Sequence, residues 1–152
     1  MLIGSYTPSL VLISIFVAIL ASYTALDLAG RIVTAKGRAV YLWMGGGALA
    51  MGIGVWSMHF IGMLAFHLPV ELGYDLPITL LSLALAILSC GFALWLVSQP
   101  QLPALQLSFG ALVMGAGISA MHYCGMAALR MQPGIEYAPS LFVGSLVIAV
   151  SA

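Results

Sequence analysis

Long apolar runs separated by short polar breaks dominate the chain. They cover roughly Ser9 to Leu28, Val40 to Phe66, Ile78 to Val97 and Leu105 to Leu129, and a fifth begins near Ser140 and continues to Ala152. Each complete run is long enough to cross a bilayer as a helix, which takes about 20 residues. Only helices and closed barrels satisfy the backbone in lipid, and no ten-residue alternation supports a barrel. The pattern therefore predicts an all-α membrane protein: a multi-span transmembrane helical bundle.

The breaks between runs carry most of the charge. Gly30 to Arg38 contains Arg31, Lys36 and Arg38, and His67 to Pro77 contains Glu71 and Asp75. Gln99 to Pro103 is uncharged, and Arg130 to Pro139 contains Arg130 and Glu136. Three of the four basic residues thus sit in the first connection, which the positive-inside rule assigns to the cytoplasm. The N-terminus and the second and fourth connections then face out. Tyr41, Trp43 and Trp95 fall near the inner ends of the runs, and Tyr74 and Tyr137 near the outer ends, as an aromatic belt requires. Asp27 and Arg31, one helical turn apart, read as an interfacial anchor at the inner end.

Composition agrees. The chain is 63% hydrophobic and 5% charged, against about 25% charged in soluble domains. The formal net charge is zero, with no basic run that suggests nucleic acid. Cys90 and Cys124 form no CxxC pair, so neither a disulfide nor a zinc site is argued. The N-terminus lacks the basic region of a secretory signal, so Met1 onward reads as mature protein. Residues 1–152 read as one membrane domain.

The chain repeats itself. Met58-His59-Phe60-Ile61-Gly62-Met63 returns 63 residues later as Met121-His122-Tyr123-Cys124-Gly125-Met126. Met51-Gly52-x-Gly54 matches Met114-Gly115-x-Gly117, Ala65 matches Ala128, and Tyr74 matches Tyr137 at the same offset. The repeat unit is a two-helix hairpin, one motif helix followed by one plain helix, so both motif helices point the same way and both words lie at the same depth, towards the outer face. Positions four apart share a helix face. Met51, Val55, His59, Met63 and His67 form one stripe; Met114, Ile118, His122, Met126 and Arg130 form its partner. Gly46, Ala50, Gly54 and Met58 make a small-residue row, as do Ala111, Gly115 and Ser119, of the kind that lets helices pack closely in lipid. Gly62 and Gly125 are expected to leave space beside the histidines.

Two of the three histidines lie in these matched words. A histidine in an apolar span is expensive and commonly has a task. Imidazole and thioether together favour copper, above all Cu(I). The motif helices carry no carboxylate, which disfavours magnesium, manganese and calcium. The candidate metal ligands are His59, Met63, His122 and Met126, with Met58 and Met121 projecting to the side. A methionine in a membrane helix is most often packing, and the histidines alone are compatible with a structural bridge between helices. Haem held between His59 and His122 as axial ligands is a second reading, and copper uptake or delivery a third. No nucleophile–base set or carboxylate pair suggests an enzyme.

These words resemble the MHYT domain, a bacterial integral-membrane sensor module, over essentially the whole chain. Ser22 to Leu28 also looks like the family's first-helix segment. The resemblance implies a six-helix domain with three motif copies near the outer face of the bacterial cytoplasmic membrane. It further implies an attached cytoplasmic output module, commonly a cyclic-di-GMP cyclase or phosphodiesterase, and a proposed role in sensing oxygen, carbon monoxide or nitric oxide through bound copper. Met58, His59 and Met63 match the first motif; Met121, His122 and Met126 match the second. The name's Tyr is Phe60 in the first copy, and its Thr is Ile61 and Cys124, so a motif hydroxyl remains only at Tyr123. A third motif is expected beyond Ala152: either this chain is a fragment, which the cut-off fifth run favours, or it is a shortened member whose site is incomplete.

Overall fold

The computed structural model describes residues 5–67, 73–99, 101, 103–130 and 139–151. The described elements run β1 (Ser5–Tyr6), α1 (Pro8–Thr34), α2 (Arg38–Ala65), β2 (Phe66–His67), β3 (Gly73–Tyr74), α3 (Leu76–Val97), α4 (Ala104–Ala127), β4 (Leu129–Arg130) and α5 (Pro139–Ser151). The first four helices are long and apolar enough to cross a membrane. Tyr137, Glu71 and Glu136, named above, lie outside the described residues.

The predicted runs match these helices closely, with one difference. Helix α1 continues six residues past Leu28, to Thr34. Its last turns absorb the polar residues that the sequence suggests as a loop. Arg31 Nε donates to Asp27 Oδ2 at 2.6 Å, and Thr34 Oγ1 donates to the Gly30 carbonyl at 3.1 Å. A cation in the last turn also suits the helix dipole. The chain reverses at Gly37, whose φ of 60° is the described residues' one left-handed position.

Each helix packs chiefly on the next one in sequence. Leu28 and Ile32 of α1 and Leu94 of α3 form a buried cluster, with Val40, Met44 and Met51 of α2 against it. Elsewhere the outer surface is apolar: Leu12, Phe16 and Ile19 on α1 and Leu105, Phe109 and Leu112 on α4 are all exposed. In water such faces would be an aggregation liability. In a bilayer they face their proper solvent, and this is a multi-pass membrane protein.

Two hairpins are closed at the same end by matching backbone devices. Strand β1 pairs antiparallel with β2, and β3 with β4. The Thr7 N–H donates to the Ala65 carbonyl at 2.8 Å, and the Asp75 N–H to the Ala128 carbonyl at 2.8 Å. Ala65 and Ala128 are a matched pair of the sequence repeat, and both are fully buried. The closures phase the hairpins as α1–α2 and α3–α4, a plain helix followed by its motif helix. The repeat unit expected from the sequence pairs each motif helix with the plain helix after it; the closures join it to the one before, a choice that a 63-residue offset does not make and that two-residue strands are too short to announce.

The predicted small-residue rows set helix spacing only in part: Gly54 packs on α1 and Gly115 and Ser119 of α4 are buried, but Gly46 packs on nothing. A Cβ at Gly46 meets nothing within 4 Å, and one at Gly54 meets Ala21 of α1 at 3.1 Å. The tight contact of α2 with α3 is at Gly52, where a Cβ would lie 2.6 Å from Ile87 Cα. A second row of small residues joins it, with a Cβ at Gly91 meeting Ala48 at 3.3 Å. A four-residue spacing cannot say which of several small-residue rows faces a neighbour. We expect Gly52→Ala to destabilise the folded protein by about 1–3 kcal/mol, as overpacking does. Gly46→Ala should be neutral or slightly stabilising through helix propensity. Denaturation of the two variants in mild detergent checks this; equal midpoints would contradict the packing.

Candidate metal centre

The hairpin closures place His59 six residues before Ala65 and His122 six residues before Ala128. At about 1.5 Å rise per residue both imidazoles sit about 9 Å below the closed end. The two rings meet in edge contact, with centroids 4.8 Å apart and planes at 67°. Helices α2 and α4 otherwise make little contact, since α3 packs against both. The two equivalent histidines thus face each other across the bundle.

Gly125 makes the approach possible. A Cβ there would lie 3.0 Å from His59 Nε2 and 3.4 Å from its Cδ2. Gly62, its counterpart, does not border the rings: a Cβ there meets Ser14 Oγ at 3.7 Å and nothing nearer. The expectation of space beside the histidines therefore holds at one glycine of the two. His59 Nε2 is buried and has no hydrogen-bond partner among the described residues. A buried polar atom without a partner is destabilising, by about 1–3 kcal/mol, unless something else satisfies it.

Of the sulfur candidates, Met121 is buried, and Met58, Met63 and Met126 are half-buried. The Met58 carbonyl accepts a hydrogen bond from Ser14 Oγ at 3.1 Å, which ties α1 to the first motif. Among the described residues no three His, Cys, Asp or Glu side chains gather in metal-binding proximity. Donors beyond the two imidazoles would therefore be thioethers, consistent with the makeup of the words. Cys124 takes another path: its Sγ lies 3.6 Å from the Ile78 carbonyl of α3. Cys90 is a buried apolar side chain. The side chain of His67 is outside the described set.

Other motif positions join helices. Tyr123, next to His122, pairs its hydroxyl with Ser145 Oγ of α5 at 2.5 Å and packs on Phe142 with centroids 4.7 Å apart. Trp56 Nε1 donates to Ser82 Oγ at 2.9 Å, and that hydroxyl donates to the Thr79 carbonyl at 2.8 Å. Sequence reasoning missed Ser14 and Ser82. The available signal was a lone hydroxyl inside an apolar span, where it must find a partner.

Asp75 opens α3 and does two jobs. Its Oδ1 accepts from the Ile78 N–H at 3.2 Å as the helix cap, and its Oδ2 pairs with Arg130 of β4. Arg130, in the stripe position that His67 holds in the first hairpin, therefore serves the closure and not the histidine centre.

The fold and site define a multi-span helical membrane domain with a duplicated histidine motif. The model of the MHYT family, described as a bacterial signalling protein N-terminal repeat, matches residues 52–110 and again 115–152, and the chain belongs to this family. The two matches begin 63 residues apart (115 − 52), the offset of the two words. The chain is 63% identical over 152 residues to the bifunctional diguanylate cyclase/cyclic di-GMP phosphodiesterase MucR of Pseudomonas aeruginosa, covering all of this chain and 22% of that protein. It is 44% identical over 148 residues to the cyclic di-GMP phosphodiesterase NbdA of the same organism, covering 97% of this chain and 19% of that protein. It is 36% identical over 148 residues to the signaling protein YkoW of Bacillus subtilis, covering 97% and 18%. The chain thus spans about a fifth of the length of these curated relatives. No solved structure matches it.

The Asp75 linkage has a pH signature. The Arg130 guanidinium, helped by the Ile78 N–H, holds the Asp75 carboxyl below the usual carboxylate range. A carboxyl depressed in the folded state stabilises it fully above the unfolded pKa of about 3.9 and loses that effect as pH falls through the folded value. We expect Asp75→Asn, which still caps the helix, to be less stable than the parent at neutral pH. The gap should close as the pH falls below about 4. Thermal melts of both proteins across that range check the sign; a gap that persists in acid would contradict it.

Proposed function

We propose that this domain is the sensory part of a membrane signalling protein, and that His59 and His122 hold copper in a shared centre near the outer face. The observation that carries the reading is the convergence of the two imidazoles, with His59 Nε2 buried and unpartnered beside Gly125. A purely structural pair of histidines is expected to end in hydrogen bonds, which that nitrogen lacks. The donor set suits a soft ion, with Met63 and Met126 one turn beyond each histidine and Met58 and Met121 just before. Copper held there as Cu(I) supplies affinity for diatomic gases: oxygen, carbon monoxide or nitric oxide.

The residues of the chain then have distinct tasks. His59 and His122 join α2 to α4 through the centre. Gly125, by lacking a side chain, leaves the buried His59 Nε2 uncrowded. Tyr123 ties the second motif to α5 through Ser145, so a change in the spacing of α2 and α4 reaches the next helix. A gas can bias such a bundle only by binding two helix arrangements with different affinity. The first connection, with its three basic residues, faces the cytoplasm in this reading, which puts the N-terminus and the histidine pair on the periplasmic side of the inner membrane. The names of the relatives support a cyclic-di-GMP output carried in cis, in which case any enzymatic activity belongs to that part and not to this domain. Copper uptake or delivery uses the same ligands and differs in lacking the output. Haem suits the geometry less well, because two imidazoles in edge contact leave no gap for a porphyrin plane between them.

Metal analysis of the purified full-length protein tests the proposal. We expect copper to co-purify, and a carbon monoxide adduct to be visible in the infrared spectrum of the reduced form. His59→Ala with His122→Ala should abolish copper retention. Gly125→Ala, which crowds Nε2, should weaken copper affinity about tenfold, as changes beside metal ligands do. Copper uptake unchanged in the double variant would overturn the site, and a Soret band would replace copper with haem.

A further inference from the structure

The end of the bundle opposite the histidines carries a second candidate site. The α1–α2 turn and its flanks hold Arg31, Lys36 and Arg38 against Asp27, a net charge of +2 (3 − 1). At the other end Arg130 is paired with Asp75. Asp27 is committed to Arg31. Lys36 and Arg38 are exposed, and neither has an ion-pair partner among the described residues.

Directly beside these cations lies an apolar groove between α1 and α2. Thr24, Leu42, Trp43, Gly46 and Ala50 are among its lining residues, and its volume is about 530 Å³. Pockets for small ligands run to roughly 300–1,000 Å³. The groove begins at Ala39, the residue after Arg38, and its floor is open at Gly46. Trp43 stands at its charged end with the Arg31 guanidinium 5.0 Å from its ring centroid. The small-residue row that the sequence suggests as a helix-packing seam is thus, in this half, a recess with lipid-facing walls. Its occupant must be aliphatic along its length and anionic at one end.

We propose that this groove binds one acyl chain of an anionic phospholipid, whose phosphate is held by Lys36 and Arg38. Basic side chains at a membrane surface attract anionic lipid, and the attraction falls off within a Debye length. The recess adds what a bare basic turn lacks: a fixed place for the chain. The inference is independent of the metal centre, which sits at the opposite end.

Photo-labelling of the full-length protein in mixed vesicles tests it, with phosphatidylglycerol and phosphatidylcholine analogues that carry the photoreactive group in the acyl chain. In the parent we expect phosphatidylglycerol to label residues 39–50 about tenfold more than phosphatidylcholine. Lys36→Gln with Arg38→Gln should bring that ratio to about one. Gly46→Leu with Ala50→Leu, which fills the groove, should remove the labelling from this segment at unchanged helicity. Equal labelling by both analogues in the parent, or a ratio insensitive to the charge variant, overturns the proposal. So does efficient cross-linking of a cysteine at Gly46 to a second copy or to another helix, since protein then fills the recess.

Discussion

Two backbone hydrogen bonds organise the molecule: Thr7 N–H to the Ala65 carbonyl, and Asp75 N–H to the Ala128 carbonyl. Each closes a helical hairpin immediately beyond its motif. Because the accepting alanines are equivalent positions of the repeat, the bonds fix both motif helices at one depth and in one direction. A histidine six residues below each alanine then has its counterpart at the same level. In a bilayer no water competes for those backbone groups, so the closures hold the register that the helices alone, sliding on apolar surfaces, do not specify.

Depth alone does not bring two side chains into contact. The bundle uses missing side chains for that. Gly52 allows α2 to lie against the backbone of α3 at Ile87, and Gly125 lets the His59 ring reach across to α4. Hydrophobic attraction between helices is absent in lipid, so close packing and a few interhelical hydrogen bonds must supply the cohesion. Ser14 with the Met58 carbonyl, and Trp56 with Ser82, are bonds of that kind. The first is made at Met58, the residue beside His59. The same framework that holds the bundle therefore also holds the candidate ligands.

Much of this was legible in the residues. Apolar run length gave the helices almost to their ends, because the bilayer imposes one length on every span. The 63-residue offset gave the pairing of His59 with His122, because a shift of two spans, with α3 alone in between, restores direction. The extension of α1 to Thr34 was only half legible: the four-residue spacing of Asp27 and Arg31 pointed to one more helical turn, but a polar turn at an interface otherwise reads like a loop. The packing glycines were misjudged for a related reason. Rows of small residues lie on several faces of α2, and the choice of Gly52 over Gly46 depends on where α3 stands. Gly62 and Gly125 occupy equal motif positions, yet only one borders the histidines, because a pair of rings filling one space cannot be treated alike by both copies.

The central claim is that two distant words form one centre, and it can be tested without any metal. Cysteines introduced at His59 and His122, with Cys90 and Cys124 replaced by serine, should be bridged by a short bifunctional thiol reagent in native membranes. The bridge would be read as retained mass after cleavage between the two cysteines of each pair, between α2 and α4 for the histidine pair and between α1 and α2 for the reference pair. Cysteines at Ser14 and Gly62, which the structure also brings together, provide the reference pair. The account predicts that both pairs cross-link; bridging of the reference pair without the histidine pair would contradict it.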